Sequence, residues 1–133
     1  MPLIKWQMFS PALVPARFKA EYSSAMALRP SQIRATSQDG ALMIPGALSL
    51  RRRYQALTLP VAILAGDGDR VVFKRNSERL AACVPNSTLQ LVEGAGHMVH
   101  YRAPRQVAQA VESVASKPLP RGVGQAVESE AAN

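Results

Sequence analysis

Two short segments concentrate the residue types that can move protons. The first is Gly66-Asp67-Gly68-Asp69, and the second is Gly94-Ala95-Gly96-His97 with His100 three residues on. An imidazole is the natural general base near neutral pH. A carboxylate beside it can hold its tautomer and stabilise the imidazolium that forms. Glycines on either side let the backbone turn sharply and present such side chains. Asp67 also reads as a plain turn former, and His100 as a pocket-lining or helix-start residue. A metal pair of His97 and His100 is not expected, since no cysteine or carboxylate cluster accompanies them.

These turns need elements to hold them at one place. Leu59 to Ala65 is a continuous apolar run, the pattern of a strand buried on both faces of a parallel sheet. Asn76 to Val84 reads as a helix with Leu80, Ala81 and Val84 facing inward, and Cys83 as an inert buried thiol. Thr88 to Val92 reads as a second strand. Pro104 opens a helix with Val107, Ala108, Val111, Val114 and Ala115 on one face. Strand–turn–helix–strand–turn–helix is the order of an α/β layer, and both polar turns then fall at the carboxyl ends of parallel strands, where ligands bind. Two strands make a poor sheet alone, so the pattern resembles one end of a larger sheet.

The preceding residues read differently. Residues 1–10 have no clear period and are expected to be a loop or strand remnant. Residues 11–58 read as short helices separated by Pro/Gly breaks. One carries Phe18, Tyr22, Ala25 and Met26 on a face, a second opens at Pro30, and a third runs from about Ala47 to Leu57. The expected organisation is a cap-like helical segment at 1–58, an α/β part at 59–116 and a frayed tail at 117–133.

Composition limits the function. The 133 residues are room for about one domain, by the ordinary size of ~100–200 residues. One cysteine rules out an internal disulfide and a multi-cysteine zinc site. No apolar run is long enough to span a bilayer and no secretory signal pattern opens the chain, so a cytoplasmic protein without membrane contact is expected. The net charge is +7, and residues 1–58 carry eight Lys/Arg against Glu21 and Asp39. The densest point is Arg51-Arg52-Arg53. Aromatic residues are only 5%, so the stacking platforms of nucleic-acid binders are missing and no nucleic-acid partner is expected.

The residues from Leu59-Pro60-Val61 through Gly66-Asp67-Gly68-Asp69-Arg70-Val71-Val72, then Pro85-Asn86-Ser87, then Glu93-Gly94-Ala95-Gly96-His97, resemble the C-terminal portion of an α/β-hydrolase. The resemblance covers residues 57–116 clearly and 9–57 loosely. It implies a partial α/β-hydrolase sheet preceded by cap helices, with the triad acid at Asp69 and the catalytic histidine at His97. The two lie 28 residues apart, with one helix and one strand between. Pro104 matches the start of the family's last helix, while Arg102 stands where the family often has Glu. The resemblance implies no cofactor and no metal. It implies a small ester, amide, epoxide or carbonyl-flanked carbon–carbon bond as substrate.

One motif is missing. The family's nucleophile sits in Gly-x-Ser-x-Gly, and no pair of glycines in this chain brackets a serine so. The oxyanion loop is missing from the 68 residues before Asp69 as well. A truncated hydrolase, inactive alone, is therefore expected. The alternative is a non-enzymatic fragment that associates with a partner chain or with itself through its sheet edge. A further alternative takes Asp67 and Asp69 as the nucleophile and acid of a haloacid-dehalogenase-type phosphatase. Only Glu78, Glu93 and Glu112 follow as further acids in the folded part, and that alternative leaves Gly-Ala-Gly-His unexplained.

Overall fold

The computed structural model describes residues 2–118. Most of the segment read as a tail, residues 119–133, lies outside them. The chain is mixed α/β. Strand β1 (Val61–Gly66) and strand β2 (Ser87–Val92) form a two-stranded parallel sheet, joined by helix α5 (Lys74–Cys83). The register pairs Val61 with Ser87 and Gly66 with Val92. Both strands thus end at the same level, and the turns after them are neighbours. After β2 come a short helix α6 (Val99–Arg102) and the last described helix α7 (Pro104–Ala115), whose first turn holds a proline where no N–H is needed.

Before the sheet lie helices α1 (Pro2–Phe9), α2 (Ala16–Glu21), α3 (Ser24–Ala27), α4 (Pro30–Leu50) and a 3₁₀ turn (Arg51–Ala56). Three expectations change here. Residues 2–9 are helix rather than loop. Leu3, Lys5, Gln7 and Met8 are good helix formers, but eight residues are too few to show a period. The Phe18–Met26 helix splits, because Tyr22 is extended and the Ser23 hydroxyl accepts from the Met26 N–H at 3.3 Å, starting a new helix. Pro45 does not end a helix: α4 runs through it for 21 residues. Proline's φ is compatible with a helix, and no residue of α4 is buried, so water can take the carbonyl that Pro45 leaves unpaired.

The core is small. Phe9, Phe18, Ala65, Val84, Val92 and Ala95 are its buried apolar residues. Phe9 packs edge-on against Phe18 at 4.8 Å and Tyr101 at 5.5 Å, and Tyr22 stacks on Phe18 at 5.0 Å. This cluster joins the N-terminal helices to α6. Elsewhere burial falls short of the sequence pattern. Residues Val61 to Leu64 are only half-buried rather than covered on both faces, because β1 has one strand neighbour. On α7, Val107 and Val114 are half-buried while Val111 is 63% exposed. Cys83 is exposed rather than buried. The helix ends there, and Val84, in extended conformation, takes the inward place. Among the described residues no helix is long and apolar enough to cross a membrane.

Candidate functional site: an aspartate–histidine pair at the strand ends

The two turns interlock. At the end of β1 a Cβ on Gly66 would run into the Ala95 carbonyl, so only glycine lets the second turn come this close. The Gly68 N–H donates to the Ala95 carbonyl at 3.1 Å, and the Asp67 N–H to the Val92 carbonyl at 3.2 Å. Asp67 Oδ1 accepts the Gly94 N–H at 2.9 Å. Gly94 has φ +64°, a conformation that side chains disfavour. Asp67 is thus a strap between the two turns.

Asp69 is buried, at 8% exposure. Its Oδ1 accepts the Val71 N–H at 2.7 Å and the Val72 N–H at 2.9 Å. Those bonds orient the carboxylate and leave Oδ2 to meet His97 Nδ1 at 3.0 Å. A ring nitrogen facing a carboxylate carries the proton, so the lone pair of neutral His97 is on Nε2. The His97 side chain is 36% exposed. The result is a satisfied buried acid, an oriented imidazole and a basic nitrogen on the far side of the ring. Such a unit can accept a proton from a hydroxyl or water brought to Nε2 and return it to a leaving group.

His100 stands apart. Its ring lies 4.8 Å from that of Tyr101, and it lines a groove between β1 and α7. No hydrogen bond or ion pair joins it to Asp69 or His97 among the described residues. Nor does any group of three or more His, Cys, Asp or Glu among them form a possible metal site.

A brace stands behind His97 that local sequence does not announce. The Met98 N–H donates to the Met8 carbonyl at 3.1 Å, which ties the histidine turn to α1. The Arg70 guanidinium sits over the Trp6 ring at 5.1 Å, and Gln7 Nε2 reaches the Arg70 carbonyl at 3.5 Å. These contacts join residues 63 or more positions apart, and no local spacing announces them. The one available signal was Trp6 and Phe9 in a segment otherwise read as a loop. Comparison with protein-family models, curated proteins and solved structures found no match.

Proposed function

We propose that this chain carries the acid and base of an α/β-hydrolase-type relay. His97 is the general base and acid, and Asp69 is the residue that orients it. The observation that carries the reading is the 3.0 Å contact between Asp69 Oδ2 and His97 Nδ1 across two neighbouring strand ends. In the relay, a serine hydroxyl gives its proton to His97 Nε2 while its oxygen attacks a small ester or amide carbonyl. The imidazolium, held by Asp69, then protonates the leaving alcohol or amine as the carbonyl re-forms. Water repeats the sequence on the acyl intermediate. The serine of a Gly-x-Ser-x-Gly turn is not among these residues, so a segment outside them supplies it, and the small-molecule substrate binds only to the completed site.

The test is hydrolysis of p-nitrophenyl acetate by the purified chain beside H97A. No acyl-serine is expected in either chain by intact-protein mass, since base and acid without the elbow serine give no acyl-enzyme; the imidazole's own slow turnover of this activated ester is the background that H97A removes. An acyl-serine that forms in the parent and not in H97A would place a nucleophile inside the chain and overturn the divided relay. The phosphatase alternative is weaker. It needs Asp69 as an acid turned toward the same ligand as Asp67, whereas both Asp69 oxygens are engaged, by the Val71 and Val72 N–H groups and by His97.

A further inference from the structure

We infer that the second half of α4, with the three arginines after it, is a contact surface for an anionic lipid membrane. The inference stands apart from the hydrolase reading and uses none of its residues.

The stretch from Ala41 to Leu50 carries no charge. Leu42, Met43, Ile44 and Leu48 are 63% to 69% exposed, and no residue of α4 is buried. These side chains do not form a stripe. Successive helix residues point about 100° apart, so Leu42, Met43 and Ile44 already face three directions. Leu48 lies one turn beyond Ile44, and Leu50 two turns beyond Met43. A protein groove covers one face of such a rod and leaves the others in water. A helix that is apolar all round belongs inside a core or among lipid tails.

Charge decides between those two. Arg51, Arg52 and Arg53 follow at once, all exposed, in the 3₁₀ turn. Three residues complete such a turn, so the three side chains leave the backbone about 120° apart and ring the end of the rod. A protein core closing over the rod would meet three charges there. Lipid phosphates and carboxylates receive them from every side, and a guanidinium matches their geometry. Among the described residues no ion pair engages these arginines. The charge is also local. Pro30 to Ala56 hold four arginines against Asp39 alone, whereas residues 59–116 hold six basic residues against five acidic ones.

The contact lies on the surface of the bilayer. From Ala41 to Leu50 the helix rises about 15 Å, half of a hydrocarbon core of ~30 Å, and no described helix can cross a membrane. Ser37, Gln38 and Asp39 precede the rod, so polar residues stand at both of its ends. The rod therefore lies along the boundary of headgroups and tails, where such segments sink about 5–10 Å. The sequence pattern that excludes a span does not bear on contact of this kind.

The experiment sediments the full chain with vesicles of phosphatidylcholine, alone or with about one-third phosphatidylserine. The chain is expected to partition onto the mixed vesicles about a hundredfold more strongly than onto the neutral ones. R51Q/R52Q/R53Q is expected to remove that hundredfold, roughly fivefold for each arginine. Leu48→Asp is expected to weaken binding to the mixed vesicles by about tenfold or more. All four positions are exposed, so both variants are expected to keep the near-UV signal of the Phe9 cluster, which reports folding. H97A is expected to bind as the parent does. Equal binding to both kinds of vesicle, or binding to neither, would overturn the inference. So would binding unchanged by Leu48→Asp, since basic charge alone would then suffice. A single-stranded oligonucleotide that displaces the vesicles and binds Leu48→Asp as well as the parent would make a nucleic acid the partner instead. A dimer mass in light scattering without lipid, lost in Leu48→Asp, would make a second copy the occupant. Release by inorganic phosphate beyond that by sodium chloride at equal ionic strength would make free phosphate the ligand.

Discussion

At the residue scale, Asp67 and Asp69 sit two positions apart and do different work. Asp69 is buried and accepts two backbone N–H bonds besides facing His97. Removing a buried acceptor strands its donors, at a cost of about 1–3 kcal/mol. Asp67 accepts a single bond, in an exposed setting. Asp69→Ala is therefore expected to lower stability in urea melts by about 1–3 kcal/mol, and Asp67→Ala by about 1 kcal/mol or less. The reverse ranking would mean that the strap, not the buried acid, holds the turns together. Asp69→Asn isolates the pairing. It keeps an oxygen for Val71 and Val72 but turns an amide N–H₂ toward Nδ1, which favours the other tautomer. The ¹⁵N shifts of the His97 ring are expected to exchange their donor and acceptor character in this variant. Shifts identical to the parent's would sever His97 from Asp69 in solution.

At the element scale, the histidine turn depends on a helix that the sequence does not announce. Phe9 is buried against Phe18 and Tyr101, and the next bond along α1 pins Met98. Phe9→Ala is expected to cost about 3–5 kcal/mol and to speed exchange of the Met98 amide, while the amides shared by β1 and β2 exchange as before. Loss of protection at both places together would instead mean that one cooperative unit spans α1 and the sheet. Helix α4 is the opposite case: none of its residues is buried, and Leu42, Met43, Ile44 and Leu48 are all well exposed. A helix with Gly40, Pro45 and Gly46 inside it and no buried face has little to hold it in water, so its far-UV signal is expected to fade below the temperature at which near-UV aromatic signals from the Phe9 cluster collapse. Coincident transitions would show that α4 packs against something. This contrast marks how much was legible. The strands, α5, α7 and the polar turns were readable because apolar runs, glycines and helix-opening prolines are local signals. The pairing of Asp69 with His97 was readable because two parallel strand ends bring their turns together. Helix α1, the continuity of α4 through Pro45 and the exposure of Cys83 were not readable. The first rests on a distant contact, the second on solvation of one carbonyl, and the third on where a helix happens to stop.

At the scale of the whole molecule, charge opposes compactness. The net charge is +7, and favourable pairs among the described residues are few. Arg17 Nε meets Glu21 at 2.9 Å on an open helix surface, where Glu21's hydrogen bond and charge hold the guanidinium's pKa above its ordinary value. An exposed pair within one turn does little for the fold as a whole. The Asp69–His97 contact is largely shielded on the acid side. Raising salt from about 0.02 to 0.2 M shortens the screening length from roughly 20 to 7 Å. That range weakens repulsion between basic groups spread over the surface. It leaves the short bonds of the buried Asp69 nearly intact. Salt is therefore expected to stabilise this chain. A gain near half a kcal/mol would raise the thermal midpoint by about 2 °C, read from the aromatic near-UV signal. Sodium chloride and sodium perchlorate at equal ionic strength separate screening from anion binding, since a weakly hydrated anion gathers on basic patches such as Arg51–Arg53. Equal shifts would confirm screening of a distributed charge. A midpoint that falls with salt would mean that attractive pairs, not the basic excess, dominate the electrostatics of the folded chain.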